Sequence, residues 1–242
     1  MTELRLTLAH SVIAERTGRG VRVAVVDSGV AAGHPHVGDV AAGVSLITGA
    51  DPADFSDRIG HGTAVAAAIR EKAPDVEVLA VRVFDRQLST SANLLAEAIR
   101  WAADHGARVI NLSLGTPNES HASLLRAALT YAAYRRTIVV AAYENEGTPM
   151  LPGALNGAIG VKLDADCPRE ELRVLNAVPG VGRPLLGASG FPRPIPGVPP
   201  ERNLYGISFA VASASAFIAR AIECEATLSA AQVVDRLVLL AR

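Results

Sequence analysis

The chain has 242 residues, half of them hydrophobic, and a formal net charge of −1. That length suits one large domain around an extended core, and two small domains are the less favoured partition. The balanced charge leaves no electrostatic footprint for nucleic acid or an anionic membrane surface.

The opening stretch, MTELRLTLAHSVIAERTGRG, lacks the basic end and apolar core that a secretory signal needs. No run of about 18 apolar residues follows, so no membrane span is expected. A cytoplasmic location is therefore the expectation, with no membrane partner.

Strand-like and helix-like segments then alternate. Residues 21–27, VRVAVVD, form a valine-rich run suited to a strand buried on both faces, with Asp27 at its end. The SGVAAG that follows lacks the first glycine of a dinucleotide fingerprint, and neither lysine sits in a phosphate-loop pattern. Residues 63–72, TAVAAAIREK, read as a helix that His61 opens, and residues 76–84, VEVLAVRVF, read as a second strand. In residues 91–106, SANLLAEAIRWAADHG, the apolar spacing makes one helical face, which Gly106 ends. The run ARVINLSLG predicts a strand, HASLLRAALTYAAYRR a helix, TIVVAA a strand followed by Asn145, and AIGVKLD a further strand.

Cys167 and Cys224 form no CxxC or Cys/His ligand pattern, so neither a zinc site nor a redox motif is supported, and one disulfide stays open. Residues 190–203, GFPRPIPGVPPERN, hold five prolines and read as a stiff surface loop. Ser208 then opens a helix of small and apolar residues, ISFAVASASAFIA.

Alternation of this kind predicts a mostly parallel sheet with helices on both faces, joined by right-handed crossovers. Sites in such sheets collect beyond the carboxyl ends of the strands. Asp27, His61, Asn145 and Ser208 each follow a strand or open a helix, so all four satisfy that rule.

Five segments carry a more specific resemblance. GRGVRVAVVDSGV, GHGTAVAAAI and GISFAVASASAF resemble the aspartate, histidine and serine segments of the subtilisin-like serine peptidases, the subtilases. VINLSLG and VVAAYENEG are similar to that family's substrate-binding strand and oxyanion asparagine segment. The order Asp, His, Ser is also that of subtilisin. The resemblance spans residues 18–219 and implies a three-layer α/β subtilisin-like fold, a mostly parallel sheet flanked by helices. A single catalytic domain over residues 1–242, without prodomain or signal peptide, is the organisation expected.

The family likeness implies a serine endopeptidase acting on a peptide or protein, with a restricted intracellular substrate. His61 would take the proton of Ser208, Asp27 would orient the imidazole, and the Asn145 amide with the Ser208 backbone N–H would hold the oxyanion. The helix N-terminus at His61 opposes an imidazolium and Asp27 favours it, and the balance is expected to leave His61 neutral at rest. Ser113, Leu114 and Gly115 would receive the substrate backbone as an added strand. Asp57 is expected to be a solvated loop charge, and Ser213 and Ser215 to bond back to their own helix.

Departures from the family pattern bear on the pocket. Ile207 stands where threonine is usual, alanine where a proline follows the serine, Thr116 where a second glycine is usual, and Tyr143–Glu144 where the family has two small residues. Glu144 would attract a basic side chain and Tyr143 would narrow the pocket; alternatively Glu144 faces solvent and Tyr143 packs inward. No cofactor is implied; calcium stays open, since no EF-hand loop is present. A peptide-binding pseudo-peptidase and an acyl-transferring, peptide-cyclising enzyme are the alternative functions, and the sequence leaves the oligomeric state undetermined.

Overall fold

The computed structural model describes residues 3–175, 180–199, 202–225 and 227–241. Its centre is a nine-stranded sheet: β1 (Glu3–Thr7), β2 (Arg22–Asp27), β3 (Val40–Ser45), β4 (Glu77–Arg82), β5 (Val109–Leu112), β6 (Ile138–Ala142), β9 (Ala158–Leu163), β10 (Glu171–Leu175) and β11 (Leu185–Ala188). The spatial order is β1-β10-β11-β9-β6-β5-β2-β4-β3. All neighbours pair in parallel except β1 with β10 and β10 with β11, which pair antiparallel at one edge. A separate hairpin joins β7 (Glu144–Asn145) to β8 (Thr148–Pro149).

Alternating side chains send each strand's apolar residues to both faces, so two cores form. Val23, Val25, Val78 and Ala80 face α2 (His61–Lys72) and α5 (Ile207–Ile222), backed by the one-turn α1 (Ser11–Ala14) and by α6 (Ala230–Leu240). Ala24, Val26, Leu79 and Val81 face α3 (Ala92–Asp104) and α4 (Ala122–Tyr134) on the other side. This is the three-layer arrangement the sequence predicts.

The α5 helix is the most buried, with 13 of its 16 residues enclosed. Alanine and serine at 212–216 let it pack against α2 and five strands at once. It brings its N-terminus to the carboxyl ends of β5 and β6, opposite the start of α2. Both cysteines are free, Cys167 buried and Cys224 exposed, so no bond joins them. Among the described residues no helix is long and apolar enough to cross a membrane. Residues 200 and 201 of the proline-rich stretch lie outside the described residues, and the rest is irregular.

Candidate active site

Asp27 ends β2 with no solvent exposure, and its Oδ1 lies 2.7 Å from Nδ1 of His61. The same oxygen accepts from the Ser28 N–H at 2.8 Å. His61 opens α2, and the residue after it has to be small. A Cβ on Gly62 would stand 2.2 Å from the Gly29 carbonyl oxygen and 3.0 Å from the Asp27 Cβ. The absence of a side chain is what lets the helix start touch the end of β2.

Asp57 is half-buried and is not a solvated charge, contrary to the sequence expectation. One carboxylate oxygen accepts from Ser28 Oγ (2.8 Å), Ile59 N (3.0 Å) and Gly60 N (2.7 Å), the other from Thr63 N (2.8 Å) and Thr63 Oγ1 (2.6 Å). Gly60, at the N-cap with φ of 89°, has no side chain to cap the helix, and Asp57 does so from three residues upstream. Burial pushes the Asp57 carboxyl up, but these donors outweigh it and hold its pKa below the usual range. An aspartate three residues before a glycine at a helix start is the signal that marks such a cap.

Burial also pushes the His61 pKa down, yet the hydrogen bond and charge of Asp27, joined by the charge of Asp57, raise it above the ordinary histidine value. Two carboxylates thus outweigh burial and favour the imidazolium more than in a free histidine.

Ser208 is the second residue of α5, and its hydroxyl donates to the Ser113 carbonyl at 3.4 Å. In return Ser113 Oγ donates to the Ser208 carbonyl at 3.3 Å. Asn111 Nδ2 donates to Ser113 Oγ (2.9 Å) and Ser215 Oγ to Asn111 Oδ1 (3.0 Å), so Ser215 bonds across to β5 and not back to its own helix. No hydrogen bond joins Ser208 to His61 directly. Both line one cleft of about 210 Å³ together with Ser113, Leu114, Gly115 and Asn145. Asn145 is carried there by the β7–β8 hairpin, whose turn places Glu146 and Gly147 at φ of 51° and 80°. The first N–H groups of α5, that of Ser208 included, lack acceptors within the helix.

Besides Asp27 and His61, seven residues were predicted for the site, and two of them do not line this cleft. Neither Tyr143 nor Glu144 lines the cleft. Glu144 Oε1 pairs with Lys162 Nζ at 3.0 Å, drawn to the neighbouring strand β9. Tyr143 donates its N–H to Val161 O, on that same strand. Sequence reasoning missed Phe84, Leu88, Ala142 and Met150, which with Ile207 complete the lining. It also missed Arg82, fully buried and in register with Asp27. Its guanidinium holds Asp54 (3.3 Å) and Asp85 (2.6 Å), tying the loop that bears Asp57 to the loop that bears Leu88.

A larger depression of about 550 Å³ lies on the far side of the α2 start, between His34, His36 and the proline-rich loop. Among the described residues no three His, Cys, Asp or Glu side chains converge as metal ligands.

Comparison with known proteins places this geometry. The thermophilic serine proteinase of Bacillus sp. (strain AK1) is 38% identical over 153 residues, 59% of this chain and 38% of that relative. Subtilisin Savinase of Lederbergia lenta is 38% identical over 140 residues, 54% of this chain and 50% of the relative. Thermitase of Thermoactinomyces vulgaris is 36% identical over 157 residues, 60% and 55%. The chain thus spans 38 to 55% of the length of these relatives. Among solved structures, sphericase matches with a TM-score of 0.69 at 24% identity over 91% of this chain and 82% of its own. MycP1 with its N-terminal propeptide removed matches with a TM-score of 0.67 at 24% identity over 93% and 84%. The profile of the subtilase family matches residues 18–171, more than half of the sequence, and the chain belongs to that family.

Proposed function

We propose that this chain is a serine endopeptidase whose nucleophile is Ser208, with His61 as its base and Asp27 as the group that orients it. The observation that carries this reading is the Asp27–His61 pair at 2.7 Å, its carboxylate buried and its imidazole facing Ser208 and Asn145 across one cleft. The family match ends at residue 171, so Ser208 rests on its place in the fold.

Each side chain has a task that its surroundings suit. This reading requires the Ser208 hydroxyl to leave the Ser113 carbonyl and turn to the free ring nitrogen of His61. His61 takes the hydroxyl proton as Oγ bonds to the substrate carbonyl carbon. The displaced electron pair moves to the carbonyl oxygen, where the Ser208 N–H and the Asn145 amide receive it. Collapse breaks the C–N bond, His61 returns the proton to the leaving amine, and water repeats the sequence on the acyl-enzyme. Asp27, hydrogen-bonded at Nδ1, favours the imidazolium throughout.

One observation supports a weaker catalyst or a peptide-binding module: the Ser208 hydroxyl is turned to Ser113 and not to His61. A single experiment decides between the readings. A fluorophosphonate is expected to attach to Ser208 of the folded protein, and Ser208→Ala or His61→Ala to abolish attachment with the fold intact. No labelling of folded wild-type protein from about pH 6 to 9, a range that spans histidine titration, overturns the peptidase.

A further inference from the structure

The α3 and α4 helices hand the chain back to neighbouring strands, β5 and β6, through turns built alike. After α3, Gly106 N donates to Ala103 O and Ala107 N to Ala102 O; after α4, Arg136 N donates to Ala133 O and Thr137 N to Ala132 O. Each turn has a left-handed residue, Gly106 at φ of 76° and Arg136 at 60°. Glycine takes that conformation without strain, and arginine does not. The backbone gives no reason for arginine at 136, so the strain held there points to its side chain.

That side chain has a buried cation beside it. Arg108 follows the α3 turn, its N–H donating to Arg22 O and its carbonyl accepting from Ile138 N. All three of its guanidinium nitrogens are buried, and none has a hydrogen-bond partner. Burial and the charge of Arg136 push its pKa down, and among the described residues no carboxylate offsets them. Acids at this end of the sheet are committed elsewhere: Glu77 pairs with Arg22 (2.8 Å), while Asp104 accepts from Tyr131 Oη (2.6 Å) and pairs with Arg135 (3.4 Å). The carboxyl ends of α3 and α4 favour cations, but Arg108 donates to none of their carbonyls. A buried charge without a partner is costly, and a like charge next to it adds to the cost.

A cavity of about 440 Å³ opens at these turns, lined by Ala103, Gly106, Tyr134, Arg135 and Arg136. It lies at the amino ends of β5 and β6, whereas Ser208 stands at their carboxyl ends. We propose that Arg108 and Arg136 form a binding site for a phosphate group, free or carried on an ester. Two guanidinium groups offer the paired donors and the double charge that a phosphate dianion matches. The anion meets the exposed Arg136 first, and the Arg108 guanidinium, held by no hydrogen bond, turns toward it. The site does not depend on the peptidase reading.

The experiment compares thermal unfolding of the full chain in chloride and in inorganic phosphate at equal pH and ionic strength, with affinity read by calorimetry. The Tm of wild-type protein is expected to rise with phosphate concentration, as it does for a ligand that binds only the folded state. Arg108→Met and Arg136→Gly are each expected to weaken phosphate binding at least about tenfold, the scale of one lost hydrogen bond to a charged group. In chloride Arg108→Met is expected to melt no lower than wild type, because it removes an unpaired buried charge. Phenyl phosphate separates the two sources: affinity equal to that of inorganic phosphate assigns the free ion, and tighter binding assigns an ester. No rise in Tm with either compound, or a rise that both variants keep, overturns the site. So does an Arg108→Met protein that melts well below wild type in chloride, since the guanidinium would then have its partner within the protein.

Discussion

Two helix N-termini face each other across the cleft, and opposite kinds of polar network hold them. The start of α2 rests on a charge: Asp57, half-buried, accepts five hydrogen bonds from Ser28, Ile59, Gly60 and Thr63. The start of α5 is tied by neutral groups, Ser215 to Asn111 to Ser113 to the Ser208 carbonyl, with Ser215 and Asn111 fully buried. A charged network loses strength when its carboxylate is protonated. A neutral one does not respond to pH, but breaking it strands buried polar atoms, each of which costs about 1–3 kcal/mol. The helix start that bears His61 is thus held by a charge and the one that bears Ser208 by neutral hydrogen bonds, and variants of each network should behave differently.

The largest effect is expected on the neutral side. Asn111→Leu roughly keeps volume but removes the acceptor for Ser215 and the donor to Ser113, so about 2–4 kcal/mol of stability should be lost. Urea midpoints measured at a mildly acidic and a mildly alkaline pH should fall by the same amount. A loss that differs between the two conditions would show that this network carries charge after all.

Asp57→Asn is expected to cost less, about 1 kcal/mol near neutrality, the scale of a weakened helix cap at a half-exposed site. The cost should depend on pH. A carboxyl whose pKa is depressed in the folded protein stabilises it above the unfolded value of about 3.9, and that stability is lost as pH falls through the folded value. The gap between wild type and variant should therefore close on acidification. A gap of constant size from neutral to strongly acidic pH would mean that Asp57 acts by shape alone.

The sequence revealed these networks unevenly, for physical reasons. The β2, β4 and β6 strands are buried on both faces and read as valine-rich runs. By contrast β3, VAAGVS, is only partly covered, and β1, β10 and the four-residue β11 lie at or near an edge with weak patterns of their own. The α6 helix carried a legible start, the Ser229–Gln232 capping box, that the alternation pattern did not draw on. Asp27, His61, Asn145 and Ser208 were legible through the resemblance of their segments to the family's, and each also ends a strand or opens a helix. Tyr143 and Glu144 were misplaced because nearness to Asn145 in sequence does not fix where a side chain faces, and Lys162 lies on another strand. Met150 had no local signal, since its position depends on backbone bonds to Tyr143 and on the pairing of Leu151 with Thr116.

The smallest effect concerns His61 itself and sharpens the comparison most. Its raised pKa has two consequences. The interactions that raise it stabilise the folded protein below about pH 6.5 and are lost as pH rises through the folded value. On the peptidase reading the base is the neutral imidazole, abundant only above that folded value, so the rate of fluorophosphonate labelling should climb along an acid limb. Asp27 supplies both a hydrogen bond and a charge, whereas Asp57 contributes through space alone and more weakly. Removing the Asp57 charge in Asp57→Asn should therefore move the limb to lower pH by a small amount, leaving the Asp27 contribution in place. Ser215→Ala weakens the neutral network without touching any charge near the imidazole, so its limb should stay where wild type has it. Labelling rates measured against pH for the three proteins test this directly. An unmoved limb in Asp57→Asn, or an equal shift in Ser215→Ala, would mean that the two networks do not divide the work between charge and packing.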